Sequence, residues 1–218
     1  MLKNIMLRLF YRAALCAAIL VGAVGCNRAD NKCVGIDVSH HNALSRKDWN
    51  ELKEQNVKYV FIKVSEGRSF KDSKRFAHFN NASNRGMIAG AYHFFRDDAS
   101  AKAQYKNYCD ARDGMTIGLL PCIDYEDAGF TQPERKRLKI LKELNELIYN
   151  RDGVYPIIYC NLLEYVKLRI LLPHNPFWIE FNSPDFGLGV MKQEVKSFNG
   201  QDLDFNYCDD INDINSPH

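Results

Sequence analysis

Residues 119–130 read LLPCIDYEDAGF, and the reading of this stretch decides the fold. An apolar run from Leu119 to Ile123 stops abruptly at Asp124, Tyr125, Glu126 and Asp127. In a strand, residues two apart share a face, so Asp124 and Glu126 point one way while Tyr125 and Asp127 point the other. If the strand is central in a sheet, two carboxylates stand side by side at its C-terminal mouth. A strand that simply runs into a solvated loop would also end in acids, and the surrounding sequence has to separate the two.

Working outward, strand-like and helix-like segments alternate. Strands are expected at 33–39, 58–67, 87–95, 118–126 and 154–160. Helices are expected at 45–56, 72–86, 99–114 and 132–153. The first helix is introduced by Ser45 and places Trp49 and Leu52 on one face. Gly86 and Gly114 are suited to closing theirs, and Pro133 suits the first turn of the longest. Such alternation predicts a parallel sheet buried on both faces. After residue 160 the pattern changes to strand-like runs at 176–182, 189–198 and 203–208, joined by short or irregular links. The expectation is therefore a single α/β fold, a TIM-like β/α barrel of eight strands, closed or nearly so and helix-poor in its last third.

Parallel barrels carry their chemistry at the C-terminal ends of the strands. Those ends read Asp37, Glu66, His93, Asp124 with Glu126, Tyr159, Trp178 with Glu180, and, on the eighth strand, Asp204. Acids and aromatics recur where a barrel enzyme would place its site, which favours the carboxylate-pair reading of residues 124–126.

The first 26 residues stand apart. They hold three basic residues, Lys3, Arg8 and Arg12, no acid, and an apolar stretch from Ala13 to Val24. This is a signal-peptide layout, short for a membrane span. Ala23-Val24-Gly25-Cys26 resembles a bacterial lipobox with Cys26 as the lipidated residue, although Ala23 stands where Leu is usual; an uncleaved anchor is the alternative. The expected organisation is a signal peptide over 1–25, a lipidated terminus and linker over 26–32, and one catalytic domain over 33–218. The chain carries 29 basic and 27 acidic residues. Without the three in the leader the count is 26 against 27, and nothing suggests a nucleic-acid partner. Of the seven cysteines, Cys33, Cys109, Cys122, Cys160 and Cys208 remain once Cys16 and Cys26 are set aside. No CxxC pair occurs. Cys122 and Cys160 sit in apolar runs as small core residues, and a disulfide near the two termini is left open.

Seven segments carry a more specific signal: GIDVSHHN (35–42), FIKVSEG (61–67), GAYHFF (90–95), PCIDYED (121–127), PIIYCN (156–161), FWIEFN (177–182) and DLDFN (202–206). In this order they resemble the motifs of glycoside hydrolase family 25, lysozymes that cut the glycan of bacterial cell walls. The resemblance spans about residues 34–208. It implies hydrolysis of the β-1,4 bond between N-acetylmuramic acid and N-acetylglucosamine, with Glu126 as general acid/base and Asp124 as its orienting or electrostatic partner. Asp37 and Asp204 resemble the family's other two active-site acids, and come from first and last strands that become neighbours when a barrel closes.

Glycoside hydrolysis needs a proton for the leaving oxygen and stabilisation of an oxocarbenium-like centre. Two neighbouring carboxylates do not both ionise easily, so one pKa is expected to rise. Because both members of the pair sit on one strand and not across the sugar, the favoured route uses the substrate's own acetamido group as nucleophile, with retention. Expected substrate-binding residues are Lys63 and Glu66 as an ion pair, Tyr92 and His93, which cannot both face inward, Tyr159 and Trp178 as stacking aromatics, and Gln193. His40-His41 lacks a third ligand at a recognisable spacing, so no metal and no cofactor are expected. Expected partners are peptidoglycan glycan strands and a membrane reached through the lipid anchor, with no nucleic acid and the chain acting as a monomer. Family members commonly carry a Trp-Gln-Tyr element on the seventh strand; here the stretch is MKQEVKSF (191–198), with Gln193 but neither aromatic. Glu180 likewise stands where a small residue is more usual. Two rivals follow: a catalytically weak glycan-binding lipoprotein, and a barrel hydrolase of another N-acetylated glycan such as chitin.

Overall fold

Eight strands close into a ring in the computed structural model, which describes residues 33–126, 129–180 and 189–217. The leader, Cys26 and Asp127 lie outside the described residues. In chain order the elements are β1 (Cys33–Val38), α1 (Arg46–Glu54), β2 (Tyr59–Glu66), β3 (Phe70–Lys71), α2 (Arg75–Ser83), β4 (Ile88–Phe94), α3 (Ala101–Arg112), β5 (Cys122–Asp124), α4 (Glu134–Asp152), β6 (Ile157–Cys160), α5 (Leu162–Leu171), β7 (Phe177–Ile179), β8 (Met191–Phe198), β9 (Gln201–Cys208) and a 3₁₀ turn (Ile211–Asp213). The barrel neighbours run β1–β9–β8–β7–β6–β5–β4–β2, β1 pairs β2 to complete the ring, and short β3 hangs on β2.

Pairing is parallel from β1 through β2, β4, β5, β6 and β7 to β8. β9 is antiparallel to both β8 and β1, whereas the alternation before residue 160 predicts parallel pairing. The cause is local. β8 and β9 are joined by Asn199-Gly200 alone, with φ of 49° and 83°. Two left-handed residues make a tight hairpin, and two residues cannot make a crossover. A second correction concerns helix content after residue 160. Helix α5 follows β6, capped by Asn161, whose side chain accepts from the Glu164 amide at 3.0 Å. Its outward face exposes Leu163, Val166 and Ile170, so apolar residues occur all round it and blur the helical period.

Strand alternation splits the core in two. Val60, Ile62 and Val64 face outward and pack with helix residues such as Trp49 and Leu52 of α1. That helix is fixed by a reciprocal cap: the Asp48 amide donates to Ser45 Oγ and the Ser45 amide to Asp48 Oδ2. Tyr59, Phe61, Ile157, Trp178 and Met191 fill the barrel interior. Gly35 is required there, since a Cβ on it would stand 2.1 Å from the Tyr59 ring. The end of the barrel opposite the strand C-termini is plugged by the tail. The Leu120 amide donates to the Ile214 carbonyl at 2.8 Å, and Ile214 is fully buried among the interior residues. The open end is left for the site.

Candidate active site

β5 is shorter than expected, but its end is firmly held. The Phe95 amide donates to the Asp124 carbonyl and the Tyr125 amide to the Tyr159 carbonyl, each at 2.9 Å. Tyr125 turns outward and is fully buried, with ring centroids 5.2 Å from Phe95 and 4.9 Å from Phe130; its hydroxyl accepts from Arg137 Nε at 3.0 Å. With Tyr125 anchored outside, the chain returns Glu126 to the inner side. Asp124 and Glu126 both line a cavity of about 390 Å³ at the C-terminal end of the parallel strands.

Asp37 and Asp204 line the same cavity. They are direct partners across the β1–β9 pair, as closure of the barrel implies. The direction of β9 changes how Asp204 arrives, however: it lies near the start of a descending strand, not at the C-terminal end of an ascending one. Asp37 Oδ2 accepts from Gln193 Nε2 and Asn206 Nδ2, both at 2.9 Å, while Tyr159 donates its hydroxyl to Gln193 Oε1 at 2.7 Å. Gln193 thus holds two site residues by its two amide ends.

The electrostatics follow from crowding acids in a confined space. Burial lifts the Asp124 pKa well above the usual carboxylate range; Glu126 and Asp37 add to the rise and Lys63 opposes it. Burial and then the Asp204 charge lift Asp37 to about 7, against the pull of its two amide donors. Asp204 is raised by burial and by Asp202. Asp124 Oδ1 is buried and has no hydrogen-bond partner within the protein. Asp124 lines the cavity, and a carboxylate oxygen without a protein partner is suited to a ligand donor.

Lys63, Tyr92, Tyr159, Trp178 and Gln193 all line the cavity. Lys63 bonds Glu66 Oε2 at 2.7 Å, and its ammonium lies 4.5 Å from the Phe94 ring centroid. Glu66 is the exception in that pair. It stands behind Lys63, outside the cavity lining, and also holds Arg96 at 2.6 Å. Trp178 is nearly fully buried, 5.0 Å from Tyr159 and 5.2 Å from Phe61, so most of its surface packs the barrel and little is left for a sugar. His93 is a correction. Tyr92 takes the inward position, so His93 faces outward, is fully buried, and bonds Ser65 Oγ at 2.8 Å and Gln104 Oε1 at 3.1 Å. Burial lowers its pKa to about 4, leaving a neutral imidazole that serves packing.

Three contributors were missed. Asn206 was within reach: the period-two argument that joins Asp124 to Glu126 also joins Asp204 to Asn206. His41 lines the cavity beside its neighbour His40, which is bound by buried Asp72 at 2.8 Å. Alternation gives the outward direction of Tyr125, but its anchoring had no local signal, because it depends on Arg137 of α4. Among the described residues, no three His, Cys, Asp or Glu side chains gather as a metal site.

The family model for glycosyl hydrolases family 25 matches residues 36–182. Lysozyme M1 of Streptomyces globisporus is 38% identical over 101 residues, 44% of this chain and 34% of the relative. The autolytic lysozyme of Clostridium acetobutylicum is 30% identical over 146 residues, 66% of this chain and 44% of the relative. The chain therefore spans between a third and a half of the length of these two relatives. A solved family 25 glycosyl hydrolase from Bacillus anthracis superposes with a TM-score of 0.71 at 26% identity, covering 84% of this chain and 91% of that one.

Proposed function

The chain belongs to glycosyl hydrolase family 25, and from that premise we infer that it is a muramidase. Its substrate is the peptidoglycan glycan strand, cut at the β-1,4 bond between N-acetylmuramic acid and N-acetylglucosamine. The observation that carries this reading is the convergence of Asp124, Glu126, Asp37 and Asp204 on one cavity. Glu126 gives a proton to the leaving oxygen and takes one back from water in the second step. Asp124 receives the acetamido N–H of the sugar on its unpartnered Oδ1. That bond orients the acetamido oxygen toward the anomeric carbon, and the carboxylate steadies positive charge on the resulting oxazolinium ring. A bound N–H also favours the ionised carboxylate, offsetting the rise imposed by burial. The Asp37–Asp204 pair binds sugar hydroxyls and tunes the charge of the cleft.

The test is digestion of purified peptidoglycan and of chitin oligomers, with proton NMR of the first-formed anomer. Release of reducing N-acetylmuramic acid ends with retained configuration is expected. Cleavage of chitin alone would overturn the substrate, inversion would overturn the acetamido route, and binding without cleavage of either glycan would leave only a binding protein. The N-terminal layout supports an exported, lipid-anchored form. Wild-type protein is then expected to partition with membranes and Cys26→Ser to stay soluble; equal partitioning with identical N-termini refutes the anchor.

A further inference from the structure

The five cysteines among the described residues are free thiols, and two of them face each other. Cys33 opens β1, Cys208 closes β9, and the two are direct partners across the antiparallel seam. Directly opposed residues project to the same face with Cα atoms about 4.5 or 5.5 Å apart, and both spacings lie inside the range a disulfide spans. The side chains agree. Cys208 Sγ approaches the Cys33 carbonyl oxygen at 3.8 Å, and the two thiols are within hydrogen-bonding reach of one another. Cys122 and Cys160 are placed differently, one in the barrel interior and the other in the outer layer.

We propose that Cys33 and Cys208 form a disulfide that staples β1 to β9 when the chain meets a thiol–disulfide oxidant. Half-buried Cys33 meets the oxidant first, because Cys208 is only 1% exposed. The Cys33 thiolate attacks the oxidant's disulfide, forming a mixed disulfide and expelling one thiolate. The Cys208 thiolate then attacks the Cys33 sulfur and expels the second. Two electrons pass from the cysteine pair to the oxidant, and the two thiol protons end on the released thiolates. Burial raises the pKa of both cysteines, Cys208 to about 12, so the exchange accelerates with pH. The crosslink joins the first strand to the last and encloses nearly all of the described chain, the arrangement in which removing unfolded-state freedom has the largest effect. The same seam carries Asp37 opposite Asp204, so the staple also secures the register of that acid pair.

The experiment equilibrates the full chain with glutathione disulfide or with dithiothreitol, maps peptides without reduction, and compares melting temperatures. A Cys33–Cys208 linked peptide is expected, with a melting temperature higher by about 5–10 °C in the oxidised form. The redox-dependent shift should persist in Cys109→Ser and vanish in Cys33→Ser and Cys208→Ser. Comparing oxidised with reduced protein inside each variant cancels any intrinsic cost of the substitution, and the wild-type peptide map decides even if a variant does not fold. Both thiols remaining alkylatable in glutathione disulfide, Cys208 linked to another cysteine, or a linked pair with unchanged melting would each overturn the proposal.

Discussion

Asp124 and Glu126 reach the cavity along one strand, whereas Asp37 and Asp204 reach it across two. The first pair is two residues apart at the end of β5, and Asp124 keeps an oxygen without a protein partner. The second is a cross-strand pair in which Asp37 Oδ2 is gripped by two amides. Groups left unpaired in a confined site are available to substrate, while groups already satisfied hold shape and field. On the proposed muramidase reading, this difference between Asp124 and Asp37 puts the chemical step at the end of β5 and the support at the β1–β9 seam.

The sharpest way to break that division is Glu126→Gln. The amide keeps the shape but cannot donate the proton, and general acid–base catalysis is worth roughly 10²–10⁴-fold. A loss of that order in kcat on peptidoglycan is expected, with circular dichroism unchanged. If Asp37→Asn instead gave the larger loss, the roles of the two pairs would be reversed.

Asp124→Asn separates binding from chemistry within the β5 pair. Charge stabilisation that strengthens toward the transition state lowers kcat with little change in KM. A drop of about 10²-fold in kcat is expected. A rise in KM at constant kcat would make Asp124 a plain binding residue.

The smallest effect, and the one of opposite sign for stability, belongs to the seam. An unfolded Asp titrates near 3.9, and folded Asp37 titrates at about 7. Between these values the folded state holds a proton that the unfolded state has released. Stability contributed by the protonated form is therefore lost as pH rises through the window, and the loss is complete above about 7. Asn at this position cannot ionise and still accepts both amide bonds. Asp37→Asn should thus match the wild type near pH 4 and exceed it at pH 8 by on the order of 1–3 kcal/mol, read as melting temperature against pH. Parallel curves for the two proteins would show that Asp37 does not carry the strain of the seam.

Much of this was legible from the chain. The alternation from residue 33 to residue 160 gave the barrel strands of that stretch and four of the five α-helices among the described residues, though not short β3. The acid-rich end of residues 119–130 gave the principal carboxylates. The misses were of two kinds. Asn199-Gly200 is a strong hairpin signal that fixes the direction of β9, and α5 carries an ordinary Asn161 cap; both were readable but were masked by the change of pattern after residue 160. The others had no local signature. Alternation says that Tyr92 and His93 face opposite ways but not which faces in, and that phase is set by the Ser65 and Gln104 partners that receive His93 behind the sheet.

The sequence by itself determined relations between near neighbours: that Asp124 and Glu126 share a face, that Tyr125 opposes them, that strands alternate with helices, and that the motifs follow the order of one family. These depend on the period of the backbone, which each segment carries alone. Only the tertiary structure decided which face is inside, that β9 descends, that Gln193 ties Tyr159 to Asp37, and that Asp37 lies opposite Asp204. Those relations join residues separated by 34 to 167 positions, and they exist only because closing the barrel brings distant strands into one register.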